Sequence, residues 1–425
     1  MLKKRDTGGT LQNCNIMKES QNTSRPFYGI LLALSLAHCL NDTMQSVISA
    51  IYPLLKTNLA LSFSQIGIVT LTYQISASIM QPFCGYLFDR KPNAWFLPIG
   101  LAFTMTGVLL ISISNSLPML MFAVLFSGVG SSVLHPEAAK LTSMASNMHR
   151  GLAQSIFQVG GSTGYAVGPL LAALLVSPYG QQNVALFSVC AFVAIVGLIP
   201  VCRWYSAILK ERKRAELSSK KKPQEDTVPL KKSLVITILA ILIFLVFTKN
   251  AYTISISNYY TFYLMEKFGV SVETSQIMLF MFLFSAAMGT LLGGPIGDKI
   301  GRRLVIMWSI FGAAPFALIM PYANLQWTVI LSMLIGFVMS SAFSAILVYA
   351  QELFPTKVGM VSGLFFGLAF GAAGILSAMF GSIADKFGIE TVYVWVSFVP
   401  LLGSIAYFLP RVRTLQAMKR GEKTP

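Results

Sequence analysis

The chain has 425 residues, is 55% hydrophobic, and carries only 11% charged residues. A soluble domain carries about 25% charged residues, so the composition excludes an ordinary soluble enzyme. The formal charge of +16 could suggest a nucleic-acid partner, but its placement along the chain argues for membrane topology instead.

Residues 1–26 are polar and read as a disordered cytoplasmic tail. The first apolar run is too long for the core of a signal peptide, so no cleaved leader is expected. About 20 apolar residues cross a bilayer as helix. On that basis twelve spans are expected, near residues 28–55, 63–87, 95–114, 118–140, 151–176, 183–204, 233–264, 272–296, 304–322, 327–350, 358–383 and 391–409. Residues 205–232 hold Lys210-Glu-Arg-Lys-Arg214, Lys220-Lys-Lys222, Pro223 and Pro229, and read as a solvated linker. The expected organisation is a six-helix half at 27–204, the cytoplasmic linker, a second six-helix half at 233–410, and a cytoplasmic tail at 411–425. Outside the spans, only Lys56, Lys267 and Lys386 fall on the side opposite the other basic residues. That asymmetry puts both termini in the cytoplasm. The fold class is therefore an all-α membrane protein of two pseudo-symmetric halves.

Span 1 carries the most expensive residue. A charge at mid-span costs at least ~2.5–3.5 kcal/mol, so Asp42 must face a cavity, have a partner, or be protonated. His38 lies one turn earlier on the same helical face. The pair reads as a proton site, against the alternative of a buried Asp held for packing. Lys249, in the first span of the second half, sits beside Asn250, the repeat counterpart of Asp42. It could pair with Asp42 or hold the anionic group of a cargo. Asn41, Tyr73, Gln74, Gln158, Tyr165, Asn258 and Tyr259 are polar within spans and could line the same cavity, although such residues also serve packing.

Two stretches repeat at the end of the second span of each half: Gly85-x-x-x-Asp89-Arg90 and Gly294-x-x-x-Asp298-Lys299. A third copy, Gly381-x-x-x-Asp385-Lys386, follows span 11. The repetition indicates a duplicated membrane domain. An Asp there can accept hydrogen bonds from a helix N-terminus in the other half and latch the cytoplasmic side. Arg150 and Lys357, which begin spans 5 and 11, are expected partners, together with Glu137 and Glu352. Gly160, Gly164, Gly168 and Pro169 form a small-residue stripe in span 5 that lets another helix approach closely. The five cysteines have no metal or disulfide spacing. No Gly-Lys-Ser/Thr phosphate loop is present, so neither an enzyme nor an ATP-driven pump is expected.

At the Gly-x-x-x-Asp stretches the chain resembles the major facilitator superfamily. The second copy is the fuller, continuing to Gly301, Arg302 and Arg303. The first has Pro92 and Asn93 where that family has Gly and a base. The segments His38-Cys-Leu-Asn41-Asp42, Tyr52-Pro-Leu-Leu-Lys56, Leu61-Ser-Phe-Ser-Gln65-Ile-Gly67 and Thr70-Leu-Thr-Tyr73-Gln74 resemble the fosmidomycin-resistance-type transporters of bacteria. Gly130-Ser-Ser-Val-Leu-His135-Pro136-Glu137-Ala138 and Gly151-Leu-Ala-Gln154-Ser-Ile-Phe-Gln158-Val-Gly160-Gly161 do so as well. The span-5 stripe is similar to the Gly-x-x-x-Gly-Pro motif of drug–proton antiporters. The resemblance implies a proton-coupled efflux protein of the bacterial inner membrane with a small, anionic, phosphonate-like cargo. The partners implied are that cargo, protons and the lipid bilayer, with no nucleic acid, no metal, no cofactor, and a monomer as the working unit. Two alternatives remain: a proton symporter importing an organic anion, and a membrane sensor that transports nothing.

Overall fold

The structure, a computed structural model, describes residues 27–51, 54–55, 58–61, 63–147, 149–176, 178–218 and 231–419. The tail expected at 1–26, residues 219–230 of the linker and residues 420–425 lie outside the described residues, as do the side chains of Pro169, Asn258, Gly381 and Asp385.

Among the described residues, twelve helical rods follow one another. In the first half they are α1 (Tyr28–Ala50), α2 (Phe63–Ser78, then Met80–Arg90), α3 (Phe96–Ser112), α4 (Leu117–Ala145), α5 (Arg150–Leu175) and α6 (Gln181–Phe187, Ser188–Gly197, then Ile199–Ser218). The second half has α7 (Lys232–Phe268), α8 (Val272–Ile300), α9 (Arg302–Ile310 through Met320–Tyr322), α10 (Leu325–Ser340, Ala342–Leu353), α11 (Val358–Phe387) and α12 (Ile389–Val396, Val399–Phe408). A short helix α13 (Val412–Lys419) follows, with Leu415 buried. Proline explains most of the interruptions, because it offers no N–H to the carbonyl four residues back. Pro82 follows the break in α2, Pro200 the break in α6, Pro315 and Pro321 lie in α9, and Pro400 lies in α12.

Eight of these rods contain a helix long and apolar enough to cross a bilayer by itself, and α3 is a shorter apolar one. The remaining rods, α1, α2 and α5, fall short for reasons that matter to function. All three carry polar and small residues along their length, among them His38, Asn41 and Asp42 in α1, Gln74 and Gln81 in α2, and Gln154 and Gln158 in α5. The sixth span overruns its expected end. Its helix continues to Ser218, with Lys210–Arg214 exposed, because Leu, Lys, Glu, Arg and Ala are all strong helix formers. The first part of the expected linker is thus helical.

Within the first half α1 packs on α5, and α4 on both α2 and α3; within the second, α8 packs on α10 and α7 on α11 and α12. The halves meet mainly through α5 against α8 and α2 against α11, with α11 also touching α4. Lipid tails are as apolar as leucine, so close packing of small residues does much of the joining. A Cβ on Gly160 would collide with the Ser35 carbonyl, one on Gly164 with the Cys39 carbonyl, and one on Gly168 with the Ser46 hydroxyl. The stripe therefore seats α5 directly on the backbone of α1.

Candidate functional site: a carboxylate between two histidines

Seating α5 on α1 fixes the surroundings of Asp42. His38 Nε2 lies 3.3 Å from Asp42 Oδ2, as helical spacing within α1 requires. On the other oxygen, His135 Nε2 of α4 lies 3.5 Å from Oδ1. Asn41 Nδ2 donates to Oδ1 at 3.1 Å, and Thr104 of α3 donates to Asn41 Oδ1 at 3.3 Å. The two imidazoles meet edge to face at 5.0 Å. Gly161 of α5 leaves the room, since a Cβ there would strike the His38 ring and come within 2.9 Å of Asp42 Oδ2. His38, Asp42 and His135 are all buried.

Each ring is oriented from behind. His38 Nδ1 lies 2.8 Å from the Phe157 carbonyl, and His135 Nδ1 lies 2.9 Å from the Ser131 carbonyl and 3.1 Å from Ser131 Oγ. Gln45 donates to Ser131 Oγ at 2.9 Å, and Tyr73 donates in turn to Gln45 Oε1. The three ligand atoms lie within 4.8 Å of one another, near enough to hold a metal ion. Each Nε2 faces a different carboxylate oxygen.

Lys249 does not reach this cluster. Its Nζ sits 5.7 Å over the Phe343 ring, and no described carboxylate pairs with it. The alternative of an Asp42–Lys249 ion pair is therefore not formed, because the two histidines occupy both oxygens of Asp42. Between them stands an aromatic block. Phe366 of α11 lies 5.3 Å from His135, 5.4 Å from Phe343 and 6.4 Å from Phe157, which stacks on His38 at 4.1 Å. Tyr165, one turn beyond Gly161 on the same face of α5, is exposed and within electrostatic reach of Asp42. Gln74, Gln158 and Tyr259 are half-buried.

At the end of the bundle bearing the Gly-x-x-x-Asp stretches, the halves are joined twice. Asp89 accepts from the N–H of Gly359 (3.1 Å) and Met360 (2.9 Å) at the start of α11. Asp298 accepts from the N–H of Gly151 (3.0 Å) and Leu152 (3.0 Å) at the start of α5. Each carboxylate thus sits on unsatisfied N–H groups at the positive end of a helix. A Cβ on Gly85 would strike the Gly359 carbonyl, and one on Gly294 the Gly151 carbonyl.

The side-chain partners differ from expectation. Among the described residues Arg150 and Lys357 pair with neither Asp; backbone N–H groups in the first turn of the helices they begin, Gly151 and Leu152 or Gly359 and Met360, donate instead. Arg302 reaches Asp298 Oδ1 at 2.6 Å and Glu352 at 3.6 Å. Lys140 reaches Asp89 Oδ1 at 3.8 Å and Glu137 Oε2 at 3.1 Å, and donates to the Phe88 carbonyl at 2.9 Å. Arg303 leaves the cluster for the Tyr407 carbonyl at 2.6 Å, Arg90 lies over Tyr86, and Lys299 is exposed. Sequence reasoning missed His135, Lys140, Phe343 and Phe366. The run His135-Pro136-Glu137 was visible, but only the fold brings His135 to Asp42.

A family model described as Major Facilitator Superfamily matches residues 34–262 and 239–424. The chain is a member of the major facilitator superfamily. It is 52% identical over 392 residues to the fosmidomycin resistance protein of Escherichia coli strain K12, covering 92% of this chain and 95% of the relative. It is 39% identical over 399 residues to an uncharacterized MFS-type transporter of Bacillus subtilis strain 168, covering 94% and 97%. Among solved structures it resembles the proton:xylose symporter XylE, with TM-score 0.72 and 15% identity over 92% of this chain and 98% of that one. The fold is accordingly that of a twelve-helix transporter, and the protein is a membrane transporter, not an enzyme.

Proposed function

We propose that this transporter exports a small molecule from the bacterial cytoplasm by alternating access, driven by inward proton movement. The observation that carries the reading is Asp42, a carboxylate buried within a membrane helix and held between two imidazoles. A charge so placed is costly unless it is used, and proton binding and release is the use its neighbours support. The 52% identity to a fosmidomycin resistance protein supports export and an anionic, phosphonate-like cargo.

Lys249 is the cargo's anchor. It is a compact charge with no described carboxylate partner, in the half opposite the proton site. Tyr165, Tyr73, Gln74, Gln158 and Tyr259 line the route, and Asn41 supports Asp42 from behind; Asn258 is assigned to the route from the sequence alone. Asp89 and Asp298, with Lys140, Glu137, Arg302 and Glu352, latch the cytoplasmic end through the N-termini of α11 and α5. Positive-inside charge puts that end and both chain termini in the cytoplasm of a bacterial inner-membrane protein that works as a monomer. On this reading the conformation is outward-facing, its cytoplasmic end held shut by the two carboxylate–helix contacts. Protons load from outside, cargo leaves, the halves rock, and protons exit inward.

The test is direction. Everted vesicles should accumulate fosmidomycin when their lumen is made acidic, and should do so faster than vesicles without the protein. Accumulation only with the opposite pH gradient would establish an importing symporter instead.

A further inference from the structure

We infer that the Asp42 site carries two protons per cycle, and that His135 is the second carrier. The inference rests on the proton-coupled reading above and deepens it. The argument begins with the far side of each ring. A carbonyl oxygen only accepts, so His38 Nδ1, 2.8 Å from the Phe157 carbonyl, bears a proton. The same holds for His135 Nδ1, 2.9 Å from the Ser131 carbonyl. Ser131 Oγ, which receives from Gln45 at 2.9 Å, lies 3.1 Å from the same Nδ1 and can share that proton as a second acceptor. These assignments follow from the hydrogen-bond partners.

With both Nδ1 positions protonated, a neutral ring points a bare Nε2 lone pair at Asp42. Two lone pairs facing each other at 3.3 or 3.5 Å repel. Each contact therefore requires its own proton, placed either on nitrogen or on oxygen. One proton satisfies one contact and leaves the other repulsive; two satisfy both. The loaded triad, two imidazolium rings and one carboxylate, has a single net positive charge. Aromatic faces and edges surround that charge: Phe157 at 4.1 Å from His38 and Phe366 at 5.3 Å from His135. A cation against π-systems is stabilised in a dry site. Other titratable groups near Asp42 are Tyr165 on α5 and Cys39 on α1, neither of which is a charge carrier at neutral pH. α3 presents only the Thr104 hydroxyl, which donates to Asn41 of α1.

Proton bookkeeping is simple. Two protons enter from outside, one bound in each Nε2–Oδ contact, and the same two leave to the cytoplasm; no bond other than N–H or O–H changes. With membrane potential held at zero, linkage sets the limiting cargo gradient. A tenfold proton gradient supports about a hundredfold cargo gradient for two protons and about tenfold for one.

The chain has three histidines, so ring ¹⁵N labelling of the whole protein reads the site directly. His149, outside the bundle, is the internal reference, and His38→Asn and His135→Asn assign the other two signals. The expected result is that both rings take the imidazolium shift together on acidification, and that Asp42→Asn uncouples them. A His135 ring that stays neutral while His38 charges would overturn the proposal, as would ring shifts that follow added Zn²⁺ rather than pH. In proteoliposomes with fosmidomycin, His135→Asn should lower the limiting gradient from about a hundredfold toward tenfold. An unchanged limit would also overturn it. Failure of coupling itself appears elsewhere, as uphill transport that survives Asp42→Asn.

Discussion

At the end of the bundle that carries the Gly-x-x-x-Asp stretches, the same contact is built twice with different cations. On α8, Gly301 turns the chain at φ +98°, so α9 starts at once and Arg302 returns to within 2.6 Å of Asp298. A residue with a Cβ adopts that backbone only under strain. On α2 the equivalent positions are Pro92 and Asn93. The helix ends at Arg90, Asn93 Oδ1 accepts from the Trp95 N–H at 3.0 Å, and no base stands there. Lys140 of α4 takes the cation's place and is shared with Glu137. The difference shows that the contact to preserve is the carboxylate on the partner helix's N-terminus, while the cation can come from wherever the fold supplies one. Both contacts reach the Asp42 cluster along a helix: the first through α4, which carries Lys140, Glu137 and His135, and the second through α5, whose N-terminus Asp298 holds and whose Phe157 carbonyl orients His38.

The comparison can be broken first at the glycines. Gly85→Leu and Gly294→Leu would each drive side-chain atoms into a carbonyl of the other half. Overpacking costs about 1–3 kcal/mol or more, so transport should fall by about tenfold to a hundredfold in both. Normal transport in either variant would show that closure at that contact is dispensable.

Substitution of the cations should be unequal. Lys140→Gln leaves Glu137 buried without its charge partner, which typically costs about 3–5 kcal/mol. Arg302→Gln leaves Asp298 on two backbone donors and Glu352 less deeply buried, a cost nearer 1–3 kcal/mol. Thermal unfolding in detergent should therefore rank Lys140→Gln below Arg302→Gln, and the reverse order would contradict the assignment.

Asp89→Asn and Asp298→Asn each weaken charge-assisted bonds worth about 1.5–3 kcal/mol. Spin labels at positions 91 and 299, on a background lacking the native cysteines, should report more of the state open at that end in both. Asn93→Arg, which restores the base that the first stretch lacks, should change transport less than about twofold, because Pro92 prevents the turn that would aim it.

Much of this was legible in the sequence because charge inside apolar helix is conspicuous. Asp42, His38, Lys249 and the two latch aspartates announce themselves, and the repeat places them in register. The partners were not legible. Lys140 reads as one more positive-inside residue at a span end, and His135 as part of a polar run in α4. Phe343 and Phe366 read as lipid-facing or core aromatics. Each acquires its meaning only across a helix–helix contact between residues far apart in sequence. Arg150 and Lys357 were expected as side-chain partners because charge is visible in a sequence and helix N-terminal N–H groups are not.

The most direct test is uphill flux through Asp42→Asn. Proteoliposomes with an imposed pH gradient are loaded with fosmidomycin, and accumulation against its gradient is followed for the wild type and the variant, with folding checked by thermal unfolding. The account predicts that the wild type concentrates the compound and that the folded variant only equilibrates it. Concentration at the wild-type rate by Asp42→Asn would contradict the account.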